Sequence, residues 1–190
     1  NKLFWLFLVM MVCSGASEQA VSQWASAFAE QGLGVTKVVG DLAGPCSFAM
    51  MMGLSRTFYG KFGQKIDLER FIILSSLLAI CSYLLIGLTQ RPILGFMGCA
   101  LTGAAVGILW PGVFSIASRT IKNGGTAMFA YLALAGDLGC SLGPTLVGFI
   151  SNKAHDELKI GILAAIIFPI IMVITAFVVK NIKSSHPNRV

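Results

Sequence analysis

Two carboxylates stand in long stretches of sequence that contain no other charged side chain. Asp137 is the one charged side chain among residues 129–150, and Glu18 lies in the segment "SGASEQAVSQWASAF". Removal from water favours the neutral form of a carboxyl group, so an acid in such a place can take up and release a proton. The structural alternative is an acid that is hydrogen-bonded to a neighbouring helix and only holds packing. Glu18 and Asp137 are therefore the candidate proton-coupling residues.

The segment around Glu18 is also rich in hydrogen-bonding side chains. At helical spacing Ser14, Glu18 and Ser22 share one face, and two glutamines lie on the adjacent face. Carboxylates and amides bind the hydroxyl groups of a solute, and a flat aromatic ring covers the apolar face of a sugar. The alternative is that the same side chains only join this helix to its neighbours. The predicted solute-binding residues are Glu18, Gln19, Gln23, Trp24 and, from a later segment, Trp110.

The composition shows in what surroundings these residues lie. Hydrophobic residues make up 56% of the chain and charged residues 12%, which is typical of a membrane protein. A membrane-spanning helix needs ~20 mostly apolar residues, and the alternation expected of a β-barrel strand is missing from runs such as "FIILSSLLAICSYLLIGL". The sequence predicts an all-α membrane protein with six transmembrane helices, over residues 3–29, 37–59, 70–88, 93–117, 125–150 and 160–179.

The first of these segments has a second interpretation. Lys2, the run "LFWLFLVMMV" and the small residues after it also fit a secretory signal peptide. The helical pattern continues through "EQAVSQWASAFA", which favours a transmembrane helix. Because the first residue is Asn rather than Met, we expect the sequence to begin inside a longer polypeptide.

The basic residues predict the orientation of the six helices. If the helices alternate in direction, ten of the fourteen basic residues fall on one side, which is then cytoplasmic and holds both termini. The net charge of +6 therefore reflects membrane topology and gives no indication of a nucleic-acid partner. The ten are Lys2, Arg56, Lys61, Lys65, Arg70, Arg119, Lys122, Lys180, Lys183 and Arg189, and the other four are Lys37, Arg91, Lys153 and Lys159.

The sequence offers no motif for an enzyme or a bound cofactor. Its five cysteines form no CxxC pair and indicate small packing residues, and His155 lies with two acids in a polar outer loop without metal-ligand spacing. Walker loops, dinucleotide fingerprints, nucleophile elbows and HExxH motifs are missing. We therefore predict no enzymatic activity, no cofactor and no metal.

Small residues and prolines recur inside two of the predicted helices. Gly103 and Gly107 in one, and Gly139 and Gly143 in the other, are spaced to let helix backbones approach closely. Each helix also carries a proline, Pro111 or Pro144, which frees a carbonyl one turn earlier and permits a bend. Such helices occur in transporters and channels alike.

The segment "GLSRTFYGKFGQKIDLER" after the second helix resembles the glycine-and-basic loop signature of the major facilitator superfamily. The matching residues of this short cytoplasmic loop are Gly53, Arg56, Gly60, Lys61, Gly63 and Lys65. Gly60 stands where the family pattern has an acid, so the resemblance does not extend to the charge-paired closure of the cytoplasmic side that this acid implies.

This resemblance implies a place within a larger fold. A degenerate loop copy is more typical of the second half of such transporters, so the chain is expected to be the C-terminal six-helix half of a twelve-helix bundle, with the N-terminal half absent. The segments "GILWPGVFSIAS", "AGDLGCSLGP" and "YGKFGQKIDL" are similar to the fucose-permease-like sugar and proton symporters.

The sequence thus predicts secondary active transport of a small polar solute, with a sugar as one candidate, across the cell membrane by alternating access. Protons are the predicted coupling ion, and the partners are the solute, the lipid bilayer and the N-terminal half. The alternatives are a six-helix channel, which would need a filter or rings of like groups, and a structural membrane fragment without transport.

Overall fold

Helices account for almost all of the described chain. The computed structural model describes residues 2–121 and 124–185, so Lys122 and Arg189 of the predicted cytoplasmic set lie outside the described residues. Within these ranges there is no strand, and six helical spans are long and apolar enough to cross a membrane, as predicted. The elements are α1 (Lys2–Ser22), α2 (Ala25–Ala27), a π-helical turn (Phe28–Gly32), α3 (Lys37–Phe62), a 3-10 turn (Gly63–Lys65), α4 (Leu68–Leu88), α5 (Pro92–Val106), α6 (Leu109–Thr120), α7 (Gly125–Lys153), α8 (Leu158–Ala164) and α9 (Ile167–Ser185).

Two of the spans are interrupted where proline removes a backbone donor. Pro111 has no N–H for the Gly107 carbonyl one turn earlier, and α5 ends at Val106 before α6 begins at Leu109. Pro169 likewise has no N–H for the Ala165 carbonyl, which accepts a 3.1 Å hydrogen bond from Phe168 instead, at the break between α8 and α9. The first span is also interrupted, between α1 and α2.

The most extensive helix contact is that of α1 with α7, and small residues make it possible. A Cβ atom added at Gly139 would collide with the carbonyl oxygen of Val12, and one added at Gly143 would collide with that of Ala16. In the other direction, Gly15 of α1 lies against the Gly136 carbonyl. The hydrophobic effect does not drive helix association within lipid, so the van der Waals attraction of such close backbone packing holds the two helices together.

The other long helices pack on α1 or on one another. α9 also packs on α1, α3 packs on α5, and α4 packs on both α5 and α9. A Cβ atom at Gly103 of α5 would collide with the Phe48 carbonyl of α3, so the backbones of α3 and α5 also approach closely at a glycine. At the centre, the buried hydroxyl of Tyr83 in α4 donates a 2.8 Å hydrogen bond to the Ser17 carbonyl of α1.

Two spans leave most of their surface outside the bundle. In the most apolar stretch of each, only 17% of the residues of α3 and 28% of those of α7 are buried, against 56% for α1. The outer surface of α3 is apolar, with Leu42, Met50 and Leu54 exposed. α7 instead exposes Asp137, Ser141 and Thr145 beside its leucines.

The second helix extends through most of the segment that carries the loop signature. Gly53, Arg56, Gly60 and Lys61 lie inside α3, and only Gly63 and Lys65 lie in the 3-10 turn that follows it. Residues 54–62 contain no proline, and one glycine costs a helix interior only about 1 kcal/mol, so the helix continues to Phe62. Arg56 therefore projects from a transmembrane helix.

Candidate functional site

A cleft of about 470 Å³ opens on one side of the bundle, between α1, α3 and α6. Glu18 of α1 and Arg56 of α3 form its polar part, and two aromatic rings and a proline of α6 form the remainder. The cleft thus combines one acid, one base and a large apolar wall. Its lining residues are Glu18, Arg56, Trp110, Pro111 and Phe114.

Glu18 and Arg56 form an ion pair inside the cleft. The Nη2 atom of Arg56 lies 3.4 Å from the Oε2 atom of Glu18, whose side chain is only 13% exposed, whereas that of Arg56 is 46% exposed. The distance exceeds the 2.7–2.9 Å that is usual for a charge-assisted hydrogen bond. The pair is therefore loose, and a competing cation or a proton can displace the guanidinium.

Arg56 makes a second contact, with the interrupted helix. Its Nε atom donates a 3.3 Å hydrogen bond to the carbonyl oxygen of Gly107. This carbonyl has no donor in its own helix, because residue 111 is a proline without an N–H. One side chain of α3 therefore contacts both α1 and the break between α5 and α6.

The aromatic wall is held by contacts behind it. The rings of Trp110 and Phe114 lie 6.2 Å apart between centroids, and a Cβ atom at Gly136 of α7 would meet the Trp110 ring at 2.5 Å. The indole Nε1 atom of Trp110 is buried and has no hydrogen-bond partner among the described residues. An unpaired buried donor costs about 1–3 kcal/mol, so an acceptor that reached it would be bound favourably.

The predicted solute-binding residues do not all meet at the cleft. Glu18 and Trp110 line it. Gln23 is exposed and donates a 3.1 Å hydrogen bond to Gln19 one turn earlier, so these amides are paired with each other. Trp24 contacts α7, where its Nε1 atom donates a 3.1 Å hydrogen bond to the Pro144 carbonyl. In this structure Gln19, Gln23 and Trp24 are not part of the cleft lining.

Asp137 lies on an exposed part of α7. It follows Gly136, the residue against which the Trp110 ring packs, so it is close to the cleft but is not among its lining residues. The exposed neighbours Leu134 and Leu138 surround it on the same helix. Asp137 lies near the middle of this 29-residue helix, where contact between a carboxylate and lipid is unfavourable. Protein or water must therefore surround it.

Sequence reasoning missed Arg56 and Phe114 as cleft residues. The signal for Arg56 was present in part: Pro111 implied an unpaired carbonyl at Gly107 that needs a donor, and Arg56 lies within the predicted second helix. No sequence pattern showed which helix supplies that donor. Among the described residues, no three His, Cys, Asp or Glu side chains lie close enough together to hold a metal ion.

Comparison with known proteins decides the family. A sequence profile described as Major Facilitator Superfamily matches residues 1–144. The chain belongs to the major facilitator superfamily. This membership and the six apolar spans make it a multi-pass membrane protein of a family of transporters, as the loop signature indicated.

A relative of this family member carries a more specific name. It is a protein of Lactococcus lactis subsp. lactis (strain IL1403) named "Multi-drug resistance efflux pump PmrA homolog", 31% identical over 131 residues. The matched region is 66% of this chain and 31% of the relative, so the chain spans about a third of that protein's length. The name gives no support to the predicted fucose-permease-like branch.

Proposed function

We propose that this chain is the C-terminal six-helix half of a secondary transporter that carries a small amphipathic solute through the cleft, coupled to protons by Glu18. The observation that carries the proposal is the loose Glu18–Arg56 ion pair beside an aromatic wall. The chain would alternate between states open to either side of the membrane, with the solute bound between two helix bundles.

The coupling chemistry follows from the position of Glu18. The Glu18 side chain is only 13% exposed, and the Arg56 guanidinium lies 3.4 Å from its carboxylate. A neighbouring cation favours the charged form of a carboxyl group. Whether the proton stays on Glu18 therefore depends on whether Arg56 remains beside it. A solute or conformational change that moves Arg56 would change proton occupancy, and this dependence is the requirement for coupling.

The lining of the cleft favours an amphipathic solute over a sugar. Trp110 and Phe114 offer apolar ring surface, and the polar groups are limited to one ion pair. A sugar needs many hydrogen-bonding partners, and the glutamines predicted for that task are paired with each other. The efflux pump name of the Lactococcus lactis relative agrees with an amphipathic solute.

A second helix bundle is needed to cover the exposed side of α7. An exposed carboxylate such as Asp137 costs on the order of 2.5–3.5 kcal/mol at the centre of a lipid bilayer. A packed N-terminal half, with a water-filled cavity between the halves, would remove that cost. In such a complex Asp137 would face the cavity and could serve as a second proton-coupling group.

Proteoliposomes that contain the whole gene product test the proposal with ethidium as an amphipathic cation and L-fucose as a sugar. We expect a pH gradient to drive ethidium accumulation, and ethidium trapped on one side to accelerate entry from the other. Counterflow of this kind requires a carrier. Ethidium flux without counterflow or response to pH would indicate a channel. Uptake of L-fucose without uptake of ethidium would show that the solute is a sugar and not an amphipathic cation.

A further inference from the structure

The carbonyl oxygen of Gly107 is a backbone acceptor that the helix itself cannot satisfy. In a continuous helix it would accept from the N–H of residue 111, but that residue is proline. Beside the break, the Gly107 N–H donates to the Gly103 carbonyl over 3.1 Å, and the Gly112 N–H donates to the Ile108 carbonyl over 2.8 Å. The Gly107 carbonyl therefore needs a donor from outside its own helix.

Arg56 supplies a donor for this carbonyl from another helix. Its Nε atom reaches the Gly107 oxygen at 3.3 Å while its Nη2 atom lies 3.4 Å from Glu18. The planar guanidinium can hold both acceptors because its donors point in different directions, which the single ammonium group of a lysine does less well. The two contacts therefore depend on one side-chain position.

We propose that Arg56 is a positioning residue that links the charge of Glu18 to the break between α5 and α6. Glu18 holds the guanidinium in place, and the guanidinium in turn supplies the hydrogen bond that Pro111 withholds from Gly107. When Glu18 becomes neutral or moves away, Arg56 is released and the break is free to bend. This inference rests on the proposed transport function, because it describes how the same acid would change the shape of the transporter.

The arrangement around the break is suited to such a change. Gly107 packs against Met52 and Ser55 of α3, so a movement of α3 would act directly on the break. On the far side, Tyr59 of α3 donates a 2.8 Å hydrogen bond to Ser115, whose hydroxyl donates to the Pro111 carbonyl over 2.7 Å. α3 therefore contacts α6 after the break and also packs on Gly107 at the break, where Arg56 adds the hydrogen bond to the carbonyl.

A rescue experiment on the purified whole gene product tests the backbone link. Arg56→Gln should lower the apparent melting temperature in detergent, and Pro111→Ala should raise it more in the Arg56→Gln background than in the parent, because an alanine at this position supplies the missing N–H. Pro144→Ala, at the proline of α7, is the matched control and should give the same change in both backgrounds. Equal effects of Pro111→Ala in both backgrounds would overturn the link. If Arg56→Gln does not fold, Arg56→Lys is used in the same cycle.

A labelling experiment tests whether the charge of Glu18 controls the break between α5 and α6. If Arg56 had only a structural role, neutralising Glu18 would not change the accessibility of the break. Ile108 is buried at the break, so Ile108→Cys in a background without the native cysteines reports its opening. Glu18→Gln should accelerate labelling by a methanethiosulfonate reagent by roughly 3- to 10-fold, and adding Pro111→Ala should remove that acceleration. An unchanged labelling rate in Glu18→Gln would overturn the proposal.

Transport measurements on the same preparations separate this inference from the proposed function. If Glu18→Gln abolishes proton-driven ethidium transport but leaves Ile108→Cys labelling unchanged, the positioning role of Arg56 is wrong and the transport proposal stands. If the labelling and the rescue behave as expected but the parent protein transports no solute against a gradient, the transport proposal is wrong.

Discussion

The hydroxyl of Tyr83 donates a 2.8 Å hydrogen bond to the backbone carbonyl of Ser17, 66 residues away, at a point where neither residue is reached by solvent or lipid. This contact joins α4 to α1 one residue before Glu18. It therefore helps to fix the rotation of the helix that carries the candidate proton-coupling acid.

Tyr83→Phe should destabilise the bundle by about 1 kcal/mol, because it removes one buried hydrogen bond and leaves the ring in place. The measurement is the apparent melting temperature in detergent. Tyr131→Phe is the matched control, since Tyr131 is 60% exposed and should tolerate the loss of its hydroxyl. Equal shifts for the two variants would show that the Tyr83 hydroxyl contributes nothing to the packing.

Gly139→Ala should destabilise the contact of α1 with α7 by about 1–3 kcal/mol, because the added methyl group would collide with the Val12 carbonyl and force the helices apart. Gly60→Ala is the control, since a Cβ atom there meets nothing within 4 Å. That substitution should stabilise α3 by ~0.5–1 kcal/mol. The folded yield of each variant, measured by size-exclusion chromatography, decides between these outcomes, and a normal yield for Gly139→Ala would contradict the close contact.

Glu18→Gln should uncouple solute movement from the proton gradient, because the amide keeps hydrogen-bonding capacity but cannot exchange a proton. We expect the accumulation ratio of ethidium under a fixed pH gradient to fall by roughly 5-fold or more. Glu30→Gln is the control, since Glu30 is an exposed acid in the π-helical turn that follows α2 and is not among the cleft residues. Normal accumulation by correctly folded Glu18→Gln would remove this residue from the coupling mechanism.

Asp137→Asn should reduce proton-driven accumulation and leave solute exchange comparatively intact, because exchange does not require release of the proton. Accumulation and exchange are measured separately on the same vesicles, with expression level checked first. Asp156→Asn, in the exposed turn after α7, should change neither. If Asp137→Asn accumulates solute as well as the parent does, the aspartate has only a structural role against the second bundle.

The sequence by itself determined the number of spans and singled out the acid that lines the cleft. Membrane insertion depends on the hydropathy of each local stretch, so six spans could be counted without knowledge of their contacts. The cost of a carboxylate in such a stretch likewise singled out Glu18, which lies in the cleft. The family signature could be recognised for the same reason, since it is a local pattern.

Only the tertiary structure decided which residues meet. Arg56 lies 38 residues from Glu18 in the sequence, and the length and rotation of α3 bring it to the cleft. Trp24 fitted a binding wall by spacing but instead contacts the Pro144 carbonyl. The exposure of Asp137 also depends on how α7 is rotated against α1, and that rotation is set by the glycine contacts with Val12 and Ala16. Periodicity specifies the faces of a helix, but the partner of each face is selected by packing between residues distant in sequence.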